Sequence, residues 1–87
     1  MIEWSKVERK HVEEACRLYD AGALPPAPAA KSTFLIWKEQ RYPAKFIRGE
    51  AYRLATGRTL KRTEYSGGLE TARHLENLGF IVCHEPR

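Results

Sequence analysis

The residues of this chain best suited to chemistry are cations in its middle third, which could bind phosphate groups. Lys45, Arg48 and Tyr52 recur at spacings of three and four, so on a helix they would share one face beside Gly49. The two cations can reach phosphates, and the aromatic ring beside them can stack or pack. The flanking candidates for phosphate contact are Arg41, Arg58, Lys61, Arg62 and Arg73. The competing interpretation is that Tyr52 covers the edge of the core and the arginines only keep the surface soluble.

Ser66, Gly67 and Gly68 form a second candidate site, because backbone amides at the start of a helix converge on anions. Ser66 suits the N-cap position, and the two glycines would let an oxygen approach the backbone closely. The competing interpretation is a glycine-rich helix start with a purely structural role. Ser66 is not expected to be a nucleophile, because His74 lies two turns along the same helix and nothing in the sequence places another base nearby.

Catalytic and metal-binding residues are not expected. The histidines and cysteines show no pair on one element at a spacing that holds a metal, and the neighbours Cys83 and His84 would point to opposite faces of a strand. The acidic residues near the start of the chain are typical of a solvated helix face. We therefore expect no catalytic residue, no metal and no cofactor, in a protein that is not an enzyme.

Positive charge is concentrated in one part of the chain. The net charge is +4, but residues 31 to 62 carry nine Lys and Arg against two Asp and Glu, a local excess of +7. Clustered charge of this kind speeds the encounter with a polyanion or an acidic partner. It predicts binding to duplex DNA or to another protein and does not decide between them.

The length of 87 residues is that of one small domain. We place this domain at residues 1 to 87, with a stiff Ala/Pro-rich connector at residues 23 to 30 inside it. The sequence shows no apolar signal core or membrane span, so we expect a cytoplasmic protein with no membrane partner. Cys16 and Cys83, without a Cys-x-x-Cys motif, are interpreted as two buried thiols.

Sequence periodicity predicts three helices. A Ser5-x-x-Glu8 capping box starts the first, at about residues 6 to 21. The second runs from Pro43 to residue 56 and ends before a glycine, and the third follows Ser66 and ends at Gly79. The buried stripe of the second helix is predicted to comprise Ala44, Ile47, Ala51, Leu54 and Ala55.

Runs of β-branched and aromatic residues predict three strands. Residues 33 to 37 and a short strand ending at Pro43 form a hairpin, and residues 80 to 83 form a third strand that joins it. The resulting order α-β-β-α-α-β predicts a small α+β domain with a three-stranded sheet.

Four short motifs, in this order and spacing, resemble one family. They are Tyr42-Pro43-Ala44-Lys45, Ala55-Thr56-Gly57, Ser66-Gly67-Gly68 and Leu78-Gly79-Phe80. Over about residues 12 to 82 the chain resembles the N-terminal head domain of McrA-like, HNH-containing restriction endonucleases, the modification-dependent (type IV) class. The resemblance implies a free-standing head domain without the nuclease module. The family motif carries over onto Tyr42, Lys45, Ser66, Gly67 and Gly68.

Two functions are expected from these observations. The first is a non-catalytic DNA-binding or DNA-associated module of the restriction-defence type, which uses the basic face of the second helix and the start of the third. The second is a protein-interaction domain, such as a separate subunit or a small mobile-element inhibitor that docks on a defence nuclease. Phosphate binding weakens steeply as salt rises, whereas an interface with an apolar centre weakens much less, so salt distinguishes the two.

Overall fold

A computed structural model of the protein describes residues 1 to 27 and 32 to 84. In these residues the helices are α1 (Arg9–Asp20), α2 (Ala44–Thr56) and α3 (Gly68–Asn77), and the strands are β1 (Thr33–Trp37), β2 (Gln40–Pro43) and β3 (Ile81–His84). Short 3-10 helices lie at Trp4–Lys6 and Arg62–Glu64. The predicted α+β class and the order α-β-β-α-α-β are confirmed.

The sheet is antiparallel, with β1 as the central strand in the order β2-β1-β3. Leu35 pairs with Tyr42 on one side and with Val82 on the other, and these three side chains face the core. Phe34 and Ile36 point to the opposite face, because successive residues of a strand alternate. The domain therefore has two layers, with its core between the helices and the inner face of the sheet.

The core draws on all three helices and on the sheet. Val12 and Cys16 of α1, Ile47 of α2 and Leu75 of α3 are completely buried. Tyr42, a residue of the family motif, is also buried, and its hydroxyl donates a hydrogen bond of 2.5 Å to Asp20. This contact ties β2 to the end of α1.

The predicted start of α1 is wrong. The helix begins at Arg9 with Glu8 as its N-cap, and the capping box joins Glu8 to His11. Ser5 lies in the preceding 3-10 helix. Val7 is in extended conformation and 3% exposed, so the chain turns at this residue to bury it and the α-helix can start only afterwards.

Other predicted details have mixed outcomes. α2 begins one residue later than predicted, with Pro43 as N-cap, and ends as predicted before Gly57, which has a φ of +79°. Cys16 is buried as predicted, but Cys83 is only half-buried because it lies on the outer face of β3. Of the predicted connector, residues 23 to 27 contain no helix or strand, and residues 28 to 30 lie outside the described residues. The extent of the domain, residues 1 to 87, stays a prediction.

Candidate nucleic-acid interface

Arg48 and Tyr52, predicted on an exposed basic face, are buried at 2% and 1% exposure. That prediction is wrong, because α3 and the N-terminal 3-10 helix cover this side of α2. The stripe that α2 buries comprises Ala44, Ile47, Arg48, Ala51 and Tyr52. Its spacing of i, i+3, i+4, i+7 and i+8 is that of a regular amphipathic helix. The predicted members Leu54 and Ala55 are only half-buried.

The guanidinium of Arg48 is held by three side chains of α3. Its Nε donates to His74 Nδ1 at 2.8 Å and its Nη1 donates to Thr71 Oγ1 at 3.2 Å. The same Nη1 lies 3.5 Å from Glu70 Oε1. A buried charge needs such partners, so these contacts dock α3 on α2.

Trp4 covers the face of this guanidinium, with Arg48 Cζ 3.6 Å from the ring centroid. Three other rings stand edge-on to the indole, those of Tyr52, Tyr65 and His74, at centroid distances of 5.2, 5.4 and 5.5 Å. We call Arg48 and these three rings the Arg48 box, with Trp4 inside it. A cation on one face and ring edges around the rim is a favourable environment for a flat aromatic group.

His74 is uncharged at neutral pH. Burial and the neighbouring Arg48 cation lower its pKa to about 4, although Glu70 opposes the shift. Because Nδ1 accepts the hydrogen bond from Arg48, the neutral ring must carry its proton on Nε2. The only full positive charge within the Arg48 box is therefore that of Arg48.

Three of the predicted cations belong to two segments that touch at the surface: Lys45 at the start of α2, and Lys61 and Arg62 in the segment that leads to α3. Lys45 Nζ donates to the Arg62 carbonyl oxygen at 2.7 Å and lies 5.1 Å from the centre of the Tyr65 ring. Lys61 and Arg62 are exposed. Within residues 1 to 27 and 32 to 84, none of the three forms an ion pair with a carboxylate. We call them the Lys45 cluster.

The remaining predicted cations lie in other surroundings. Arg58 pairs with Glu64 at 3.2 Å, so its charge is partly neutralised. Arg41 lies over the Phe34 ring on the outer face of the sheet, at 4.3 Å from the ring centroid. Arg73 is exposed on α3. The structure thus brings the segment of Lys45 into contact with that of Lys61 and Arg62, and places Arg41 and Arg73 on other elements.

The segment Ser66-Gly67-Gly68 is arranged differently from the predicted anion cradle. Gly67, not Ser66, is the N-cap of α3, and the Ser66 hydroxyl donates to Glu70 Oε2 at 2.6 Å. This hydrogen bond, together with Arg48, lowers the pKa of Glu70. A carboxylate of the chain itself therefore already lies at the helix start. Gly68 has a φ of +63°, which a residue with a side chain rarely adopts.

Two further features, a cluster of metal-ligating side chains and a membrane-spanning helix, are not found among the described residues. Residues 1 to 27 and 32 to 84 hold no group of three His, Cys, Asp or Glu side chains that could bind a metal ion. No helix in the same residues is long and apolar enough to cross a membrane.

The chain matches the model of a known protein family. The model of the ScoMcrA-like N-terminal head domain matches residues 27 to 84, which is more than half of the chain. The chain belongs to the ScoMcrA-like N-terminal head domain family. The resemblance predicted from the motifs is thereby confirmed. No curated protein and no solved structure matches the chain significantly.

The matched range of this head domain includes the Arg48 box and the Lys45 cluster, but not α1 or Trp4. Sequence reasoning missed Trp4 and Thr71 altogether, and considered His74 only as a base or a metal ligand. The spacing of α2 contained a usable signal, because Arg48 and Tyr52 complete its i, i+4 stripe with Ala44. Nothing in the sequence placed Trp4 against them.

Proposed function

We propose that this head domain is a non-catalytic, DNA-associated module that acts in the cytoplasm and contacts phosphates through the Lys45 cluster. The observation that carries the proposal is the hydrogen bond from Lys45 to the Arg62 carbonyl, which joins cations of two segments on one surface. Cations without a carboxylate partner keep their charge available for an anion. Arg58 borders the surface, because its carboxylate partner Glu64 belongs to the 3-10 helix that begins at Arg62.

The experiment is a salt titration of duplex DNA binding by fluorescence anisotropy, with the double variant K61A/R62A. Both residues are exposed, so the fold should persist. The slope of log affinity against log salt should decrease by about 1.8, because each phosphate contact contributes about 0.9. The control K10A/K38A also removes two exposed positive charges, from α1 and from the turn between β1 and β2, and should change the slope much less. An equal effect of the two double variants would contradict the proposal.

Docking on another protein is the second candidate, favoured by the outer face of the sheet. Phe34 and Ile36 lie on this face outside the core, and Ile81 beside them is 69% exposed. An apolar face of this kind is typical of a contact with a partner protein, such as a defence nuclease. Binding to a partner that persists at high salt and is lost in the variant I81D would favour this candidate over DNA association.

A further inference from the structure

Residues 1 to 6, the segment that carries Trp4, have no fully buried side chain: four are exposed, and Ile2 and Trp4 are half-buried. Ile2 and Trp4 pack against the core, and the first buried residue is Val7, at 3% exposure. The N-terminal segment is joined to the rest of the fold by a hydrogen bond of 3.1 Å from the Glu3 amide to the Tyr52 hydroxyl and by one of 3.4 Å from Arg58 to the Met1 carbonyl. Segments with few buried contacts are those that open at the lowest free energy.

The box itself does not depend on Trp4 for its polar contacts. Arg48 is fixed from behind by His74 and Thr71, and the Tyr65 hydroxyl donates to the Lys45 carbonyl oxygen at 3.1 Å. All of these residues lie within the family match, whereas Trp4 lies outside it. If Trp4 moves away, these contacts still hold the Arg48 guanidinium and the rings of His74 and Tyr65, whereas the Tyr52 hydroxyl loses its donor if Glu3 moves with Trp4.

This arrangement matches the chemistry that recognises a nucleobase. Unpaired bases in protein complexes stack on aromatic rings or on the plane of an arginine. Indole is also close in size and shape to a purine, since both are flat, fused two-ring systems. Because the indole of Trp4 now occupies the interior of the box, that interior also has about the size and shape of a purine ring.

The box also adjoins the proposed phosphate surface. The Tyr65 ring forms one wall of the box and lies under Lys45 Nζ. Arg58 Nη1 donates a hydrogen bond to the Met1 carbonyl oxygen, at the N-terminal end of the segment that carries Trp4. A DNA strand whose phosphates meet Lys45 and Arg58 thus passes close to Trp4.

We propose that the Arg48 box is a binding site for an unpaired or extruded purine base of DNA, and that Trp4 is an internal occupant that the base displaces. The proposal rests on the DNA-associated function proposed above and adds a base site to it. Arg48 stacks on the base and Tyr52, Tyr65 and His74 surround its edge. Trp4 keeps the box closed in the free protein.

The test compares two strands of equal length and charge, a short oligodeoxyadenylate and a strand of tetrahydrofuran abasic residues, in binding to the variant W4A. Wild type should bind oligodeoxyadenylate only about two- to threefold more tightly than the abasic strand, because displacement of Trp4 offsets most of what the base gains by stacking. W4A should bind oligodeoxyadenylate about tenfold more tightly than the abasic strand, because one base gains a stacking site. The control W37A removes the other tryptophan, which contacts Arg17 and Lys38, and should behave as wild type.

The outcomes separate the two proposals. Equal binding of both strands by W4A overturns the base site and leaves phosphate binding intact. Binding of oligodeoxyadenylate by W4A with no binding of the abasic strand by any variant overturns phosphate binding and supports the base site. Where W4A does not keep its circular dichroism spectrum, W4L replaces it.

A second measurement uses a protein with Trp4 in place. In the variant W37F, Trp4 is the only tryptophan, so its emission reports the box. Oligodeoxyadenylate should shift this emission to longer wavelength as the indole enters water, and the abasic strand should not. The same emission with both strands at saturation would overturn the proposal.

Discussion

The guanidinium of Arg48 and the indole of Trp4 are stacked at 3.6 Å, which joins residues 44 positions apart in the chain. The stack places a charged side chain in the interior, with His74, Thr71 and Glu70 behind it. It also changes the function assigned to α2. Arg48, the most central cation of this helix, supports the fold, so the positive charge at the surface comes from Lys45, Lys61 and Arg62.

Replacing Arg48 should destabilise the fold. In R48M the acceptors His74 and Thr71 lose their donor inside the protein, so the free energy of unfolding should fall by about 3 kcal/mol. Urea denaturation measures it. The control R73A removes an exposed arginine of α3 and should change stability by no more than about 0.5 kcal/mol. Similar stabilities of the two variants would contradict the structural role of Arg48.

Stability should fall as pH decreases from about 6.5 to about 4, through His74. Its folded pKa of about 4 lies below the ordinary value of 6.5, so between these values the unfolded chain binds a proton that the folded protein does not. H74Q keeps an acceptor for Arg48 but cannot be protonated. The difference in unfolding free energy between wild type and H74Q should therefore be constant above pH 7. Below pH 7, wild type should lose stability relative to H74Q. A difference that stays constant down to pH 4.5 would contradict the prediction.

Gly49 should not tolerate alanine, although alanine is the better helix former by about 1 kcal/mol. A Cβ at this position would collide with the Tyr65 hydroxyl, which is fixed by its hydrogen bond to Lys45. We expect G49A to cost about 1 to 3 kcal/mol by overpacking. In a Y65F background the same substitution should cost much less. A double-mutant cycle in thermal unfolding measures this coupling, and additive effects would show that the two residues do not compete for space.

Gly68 should be a determinant of the fold and not of anion binding. With a φ of +63°, G68A should cost about 1 to 2 kcal/mol, whereas the affinity of the folded protein for DNA should be unchanged because Glu70 already occupies the helix start. Gly67 has a negative φ, and a Cβ added there would make only ordinary contacts with Lys45, so G67A is the matched control. Loss of affinity in G68A without loss of stability would support the anion site predicted at Ser66-Gly67-Gly68.

The sequence alone determined the elements of this domain and its family. Helix ends at Gly57 and Gly79, the break at Pro43 and the β-branched run of β1 are local signals, because they depend on backbone preferences of single residues and their neighbours. The family motifs are likewise read from a linear pattern. These signals located α2, α3 and the sheet to within about two residues.

Only the tertiary structure decided which side of α2 is buried and where the charges lie. A charged residue is expected at the surface because burial costs its hydration, and this rule assigned Arg48 to solvent. The cost is offset by Trp4, Thr71 and His74, which come from segments far away in sequence, so no local pattern around Arg48 could reveal them. The same holds for Lys45 and Arg62, which are adjacent only because the segment between them folds back on α2. The helix period fixes the angular position of each residue on α2. Whether that position is buried or exposed depends on the segments that pack against it, and these are set by long-range packing.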